Sequence, residues 1–212
     1  MKAILKFAAP ILASVMLLTS CGTNTTQTRP TAAPAKTTTT AAATLDPALK
    51  ENTVPITITL TTGEEIKAEL YPDIAPITVE NFTKLVKENF YDGLIFHRVI
   101  KGFMIQGGGL DASGTQKQTA SIKGEFKANG DENNLEHERG VLSMARTPVM
   151  DSASSQFFIM YEDSPHLDGQ YAAFGMVTEG MDVVDKIASV QTDASDRPLE
   201  DIVIKTITID ED

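Results

Sequence analysis

Phe96-His97-Arg98-Val99-Ile100-Lys101-Gly102-Phe103-Met104-Ile105-Gln106-Gly107-Gly108 is the stretch on which the reading of this chain turns. Phe96 to Ile100 and Phe103 to Gln106 are strand-like apolar runs that set Arg98 among large hydrophobic residues and end in glycines. Two later segments repeat the mixture. Gly140-Val141-Leu142-Ser143-Met144-Ala145-Arg146 and Ser155-Gln156-Phe157-Phe158-Ile159 place amides and a second guanidinium beside apolar side chains. An apolar wall with a few aimed polar groups is the general form of a small-ligand or peptide site.

Working outward, Ile56 to Leu60 and Ile66 to Leu70 alternate apolar and polar residues around Thr62-Gly63-Glu64, which predicts a hairpin. The period then changes. Thr78 is placed to cap a helix with Val79, Phe82, Leu85 and Val86 on one face, ending before Asp92-Gly93. Further strand runs are Val141 to Ala145, Gln156 to Met160 and Tyr171 to Val177, and an amphipathic helix is expected from Met181 to Ser189. Ile202, Ile204, Ile207 and Ile209 alternate but change phase, which predicts a last strand with a bulge near Lys205. About eight short strands and two helices predict a mainly β fold, a closed antiparallel barrel. Strands do not alternate with helices as parallel βαβ units require.

Several chemistries are excluded at this level. There is no Gly-x-Ser-x-Gly elbow, and His97, His137 and His166 are scattered, none in His-Glu-x-x-His, so no metal is announced. Gly107-Gly108-Gly109 matches no nucleotide-binding loop. Asp131-Glu132 and Glu136-His137-Glu138 read as solvated surface. The chain has 212 residues and a formal charge of −11, but the charge is unevenly divided. Residues 1–50 hold five cations and one acid, for +4, and residues 51–212 hold the remaining −15. An acidic domain excludes nucleic acid as the main partner.

The only cysteine, Cys21, excludes an internal disulfide and has a more specific context. Lys2 and Lys6 precede an uncharged run from Phe7 to Ser20, too short to span a bilayer, and Leu18-Thr19-Ser20-Cys21-Gly22 follows. This resembles the lipobox of bacterial lipoproteins. It implies that residues 1–20 are a signal peptide and that Cys21 is lipidated, anchoring an extracytoplasmic protein to a membrane. Gly22 to Ala43 is nearly all Thr, Ala, Pro, Gln and Asn and cannot bury enough apolar surface to order itself, so residues 21–50 are expected to be a tether. Its flexible span would be roughly 30 Å. Residues 51–212 form the expected single domain, a monomer by default.

Phe-His-Arg-Val-Ile-x-Gly-Phe-Met-x-Gln-Gly-Gly, Leu-Ser-Met-Ala-Arg, Ser-Gln-Phe-Phe-Ile, Leu-Asp-Gly-Gln-Tyr and Ala-Phe-Gly-x-Val occur here in the order found in the cyclophilin family of peptidyl-prolyl cis-trans isomerases. The resemblance runs over about residues 53–209. It implies an eight-stranded antiparallel barrel capped by two helices, no cofactor, and an X-Pro peptide bond as substrate. That bond has a barrier of ~18–20 kcal/mol because the nitrogen lone pair conjugates with the carbonyl, so it isomerises in tens to hundreds of seconds. Neither a nucleophile nor a proton transfer is required. A donor aimed at the proline nitrogen stabilises the deconjugated state while a dry apolar wall holds the ring. Lowering the barrier by ~7 kcal/mol would accelerate rotation about 10⁵-fold.

Taken alone, Arg98 reads as a partner in a structural ion pair. The resemblance implies instead that it is the donor, with a fixed charge and a planar fork that lysine lacks. It assigns Phe103 and Gln106 with it to catalysis, and Met104, Phe158 and Leu167 to the proline pocket. Ala145 lines that pocket, and Gln156 binds substrate backbone or orients the arginine. Ile100, Arg146, His166 and Tyr171 complete the expected substrate surface. His97 should face away from Arg98 by strand alternation and play a structural part. His166 stands where eukaryotic relatives have tryptophan, Tyr171 where they have histidine and Arg146 where they have asparagine. These differences resemble the bacterial branch and imply weakened binding of the cyclic peptide cyclosporin. The expected activity is prolyl isomerisation on unfolded or partly folded exported polypeptides. The alternatives are a lipoprotein that holds proline-containing peptides without turnover, or an adhesin acting through its acidic face.

Overall fold

The computed structural model describes residues 52–210. The expected signal peptide, Cys21 and the tether lie outside the described residues.

Eight strands and two helices follow in chain order: β1 (Val54–Leu60), β2 (Glu65–Leu70), α1 (Pro76–Lys87), β3 (Leu94–Ile100), β4 (Met104–Asp111), β5 (Val141–Met144), β6 (Phe157–Met160), β7 (Ala173–Glu179), α2 (Met181–Ala188) and β8 (Ile204–Ile209). All pairings are antiparallel, in the order β3-β4-β6-β5-β7-β2-β1-β8. The two ends of the sheet meet through an Ile95–Val203 bridge, with Gly93 donating to the Ile204 carbonyl at 2.9 Å and Phe96 to that of Ile202 at 3.0 Å. The barrel is thus closed but for a short seam, which leaves little unpaired strand edge.

The expected bulge in the last strand is present. Ile207 pairs with Ile58 and Thr206 with Thr59, but Ile204 faces Leu60, so Lys205 is the extra residue and points to solvent. A second bulge was not foreseen. Phe96 pairs with Gly107 and Arg98 with Gln106, leaving His97 as one residue too many on β3. Phe96 and Val99 consequently both join the barrel core, although an unbroken strand would put them on opposite faces. Arg98 is thereby turned outward.

Two apolar clusters sandwich this side of the barrel. Ile105, Leu142, Met144, Phe157, Ile159 and Phe174 fill the interior, whereas Met104, Val141, Phe158, Met160, Leu167 and Ala173 form a second cluster. In β6 the assignment alternates residue by residue, so Phe-Phe-Ile-Met is a strand buried on both faces. The second cluster is covered by the connection between β4 and β5, which supplies Leu135, and by the one between β6 and β7, which supplies Leu167. Each connection carries one 3₁₀ turn, Lys127–Asn129 and Pro165–Leu167.

Helix α1 closes one end of the barrel with Val79, Phe82, Leu85 and Val86 buried, as its spacing predicts. The Phe82 ring meets Phe157 edge-on at 5.4 Å and lies 5.3 Å from Phe174. Its start corrects the expectation. Ala75 occupies the N-cap position and Pro76 the first turn, so Thr78 lies inside the helix. The cap comes from the long connection after β4: the buried Glu125 carboxylate accepts from Ile77 N at 3.0 Å and from both Thr78 N and Thr78 Oγ1 at 2.7 Å. A carboxylate there satisfies otherwise orphaned N–H groups and complements the helix dipole. Glu125→Ala should therefore lower unfolding free energy by about 2 kcal/mol, read from urea denaturation.

Candidate active site

Register places the candidate residues in one row across four neighbouring strands. Arg98 on β3 pairs with Gln106 on β4, Gln106 with Phe158 on β6, and Phe158 with Ser143 on β5. A parallel row two residues along holds Ile100, Met104 and Met160. Phe103 is fixed in the turn between β3 and β4: its N–H donates to the Ile100 carbonyl at 3.0 Å, and its carbonyl accepts from Tyr161 at 2.8 Å.

Arg98, Phe103, Met104, Gln106, Ala145, Arg146, Phe158, Leu167 and Tyr171 surround a cavity of about 290 Å³ on the outer face of the barrel. Three residues singled out by sequence lie outside its lining. Gln156 accepts a hydrogen bond from Gln106 Nε2 at 2.9 Å and so acts on the cavity through Gln106. His166 is exposed and stacked on the Phe103 ring at 5.7 Å. Ile100 packs against the second apolar cluster beneath. Gly109 makes the Gln156 position possible, because a Cβ there would stand 2.5 Å from Gln156 Cγ.

Arg98 is partly open, with 43% of its side chain exposed, and its Nε donates to Asp196 Oδ2 at 3.4 Å. The cation is therefore ion-paired, as the residue read alone would suggest, and still borders the cavity. Arg146 is more fully engaged. Nε and Nη2 donate to the Gln170 carbonyl and Nη1 to that of Thr147, while its guanidinium lies 4.9 Å from the Phe126 ring and 4.7 Å from that of Tyr171. It holds Tyr171 in place with three hydrogen bonds already made. The bulge at β3 removes the strict alternation expected at His97. This imidazole is half-buried, and burial, aided by the nearby Arg197 and Arg98 cations, keeps its pKa below the ordinary value.

His137 corrects the expectation of a solvated surface. Its side chain is completely buried; Nδ1 lies 2.9 Å from Asp168 Oδ1 and Nε2 2.9 Å from Ser143 Oγ. A carboxylate only accepts, so Nδ1 carries the proton and Nε2 accepts from the serine hydroxyl. The ring stacks on Phe158 at 6.1 Å and meets Tyr171 edge-on at 6.5 Å, which supports the cavity wall from behind. No local pattern marks this role, because all three members of the chain come from different segments. Asp196 was missed for the same reason.

A larger cavity of about 490 Å³ lies against α2 and the loop before β8, lined in part by Leu60, Ile187, Val190, Leu199 and Ile202. Its lysine, Lys186, is paired with Glu64 at 2.7 Å, and its lining includes none of the candidate site residues read from the sequence.

Comparisons with known proteins agree on one family and one fold. A sequence model of the family described as cyclophilin type peptidyl-prolyl cis-trans isomerase matches residues 55–209. Peptidyl-prolyl cis-trans isomerase B of Escherichia coli is 44% identical over 160 residues, covering 69% of this chain and 94% of the relative. A peptidyl-prolyl cis-trans isomerase of Acinetobacter baylyi is 53% identical over 133 residues, 60% of this chain and 68% of the relative. Among solved structures, a cyclophilin type isomerase of Cryptosporidium parvum superimposes with a TM-score of 0.66 at 30% identity, covering 76% of this chain and 99% of the other. The same protein in the presence of the dipeptide Ala-Pro gives a TM-score of 0.64 at 31% identity, covering 74% and 99%.

The buried imidazole has a measurable consequence. Burial holds the His137 pKa below its ordinary 6.5 against the opposing pull of Asp168. As pH falls below 6.5 the unfolded chain takes up a proton that the native ring refuses, so stability should decline until the native ring also protonates. Urea denaturation between about pH 7.5 and pH 5 should show a smaller decline in His137→Asn than in the wild type. Equal slopes would mean that His137 does not contribute to the pH dependence.

Proposed function

The chain belongs to the cyclophilin-type peptidyl-prolyl cis-trans isomerases, and on that premise we propose that its cavity catalyses X-Pro rotation in exported polypeptides, with Arg98 as the donor to the proline nitrogen. The observation that carries the reading is the cross-strand row. It sets a guanidinium and a carboxamide beside Phe158, with Met104 and Leu167 on the same cavity.

The chemistry follows from the bond. A planar amide nitrogen is a poor acceptor because its lone pair is delocalised; twisting the bond localises that pair. A donor that meets the nitrogen only then binds the twisted state more tightly than either planar one, which is what lowers the barrier. With Nε engaged by Asp196, the two terminal amino groups of Arg98, which lines the cavity, remain available as donors. Phe103, Met104, Phe158 and Leu167 hold the proline ring by apolar contact, and Gln106, held by Gln156, binds the neighbouring backbone. The stacked His166 and Phe103 rings, and Tyr171 with Arg146 and Ala145, extend the surface to residues flanking proline. Since no proton moves, neither the half-buried His97 nor the buried His137 is needed as acid or base.

Lipidation at Cys21, removal of residues 1–20 and a tether over 21–50 complete the proposal, on the sequence pattern alone. A domain held outside the cytoplasm would meet chains that arrive unfolded, when slow X-Pro bonds limit folding. The acidic domain would resist adhesion to anionic membrane. Cyclosporin is expected to bind weakly, because His166 offers a smaller ring than tryptophan.

The full chain should accelerate isomerisation of a proline-containing test peptide, and Arg98→Ala should lower kcat/KM about 10²–10³-fold with folding intact. Peptide affinity without faster exchange would instead identify a holding protein. Cys21→Ser should move the protein from the membrane fraction to the soluble fraction and abolish labelling by fatty acid.

A further inference from the structure

Arg98 is a five-donor fork on a long side chain that is nearly half exposed, and a donor in that position is useful only if something fixes its direction. Nothing on its own strand does so. The contact is made by Asp196, 98 residues later, from the loop between α2 and β8.

That loop is built to deliver the carboxylate. Asp193 Oδ1 accepts from Ser195 N at 2.8 Å and Arg197 N at 3.0 Å, and Asp193 N donates to the Arg197 carbonyl at 2.8 Å. The turn leaves Asp196 at φ +64°, a left-handed conformation that few residues other than Gly, Asn and Asp adopt readily. Its carbonyl accepts from Val99 N at 2.8 Å, which pins the loop to β3 one residue beyond Arg98. Arg197 ties the other side down through Asp201 at 3.0 Å. Main chain and side chain of Asp196 thus both engage β3 at the point where the bulge turns Arg98 outward.

We infer that Asp196 is a positioning residue for the isomerase reaction: by taking Nε of Arg98 it aims the terminal amino groups at the cavity. This rests on the donor role proposed for Arg98. Carboxylate binding at Nε fixes the plane of the fork without occupying the groups that meet substrate. The contact is long and half-exposed, so its effect is modest and sensitive to salt.

The left-handed backbone supplies clean variants. Asp196→Gly removes the side chain where glycine is unstrained, and Asp196→Asn keeps the shape but not the charge. In the full chain with a neutral test peptide, Asp196→Gly should lower kcat about three- to fivefold with KM nearly unchanged, because the lost contact acts only on the donor in the twisted state. Asp196→Asn should fall between. Raising salt from about 0.05 to 0.5 M should lower wild-type kcat toward that of the glycine variant, whose own kcat should stay flat. The melting temperature of Asp196→Gly, measured alongside, should match the wild type; an equal fall in kcat and stability with an unaltered salt response would assign the loop a merely structural part and overturn the inference. Two other outcomes separate the claims. Turnover that survives in Arg98→Ala removes the donor and with it anything to aim, whereas loss in Arg98→Ala with wild-type kcat and salt response in Asp196→Gly overturns only the positioning role.

Discussion

The rest of the site depends on a one-residue mismatch in strand pairing. Between the Phe96–Gly107 and Arg98–Gln106 pairs, β3 spends an extra residue, His97. If the strand alternated without interruption, Phe96 in the core would commit Arg98 to the core as well, and an unpaired guanidinium inside the barrel would be too costly to keep. The bulge reverses the phase, so the same short strand contributes Phe96 and Val99 to the interior and Arg98 to the outer face. Gln106, Phe158 and Ser143 then follow by ordinary register, because each neighbouring strand repeats the spacing.

Rigid placement comes from burial on both faces. Phe157 and Ile159 are locked by the interior while Phe158 and Met160 are locked by the outer cluster, so the cavity wall belongs to a strand with no free side. The connections that cover the outer cluster are held by polar contacts of long sequence separation. Glu125 joins one of them to the start of α1, and His137 joins the two connections to each other through Asp168 and to β5 through Ser143. Loops anchored in this way behave as parts of the wall, at the cost of buried polar groups that must all remain satisfied.

Much of this was legible in the sequence because the relevant signals were periodic or contiguous. The apolar faces of both helices, the phase change at Lys205 and the apolar segments that line the cavity all came from local pattern. What escaped was nonlocal. Thr78 looked like a helix cap because nothing near it in sequence revealed that Glu125 would do that work from 47 residues away. Glu136-His137-Glu138 looked like solvated surface because the acidic neighbours hid a ring that faces inward toward Asp168, 31 residues on. The bulge at His97 was also invisible: Phe-His-Arg-Val-Ile reads as an even strand, and only pairing with β4 exposes the surplus residue. Gln156, His166 and Ile100 lie beside the cavity and not in its lining, and a one-dimensional motif cannot tell a lining residue from one that props it.

The cavity opens on the outside of a closed wall, and this governs how a polymer can use it. A barrel whose interior held the site would have to admit a chain by its end, or would accept only short ligands. Here the interior is filled with side chains and the candidate site residues stand on the exterior. A long polypeptide can be engaged sideways at any internal proline and let go without threading, so neither the length of the client nor its distance from a terminus restricts access.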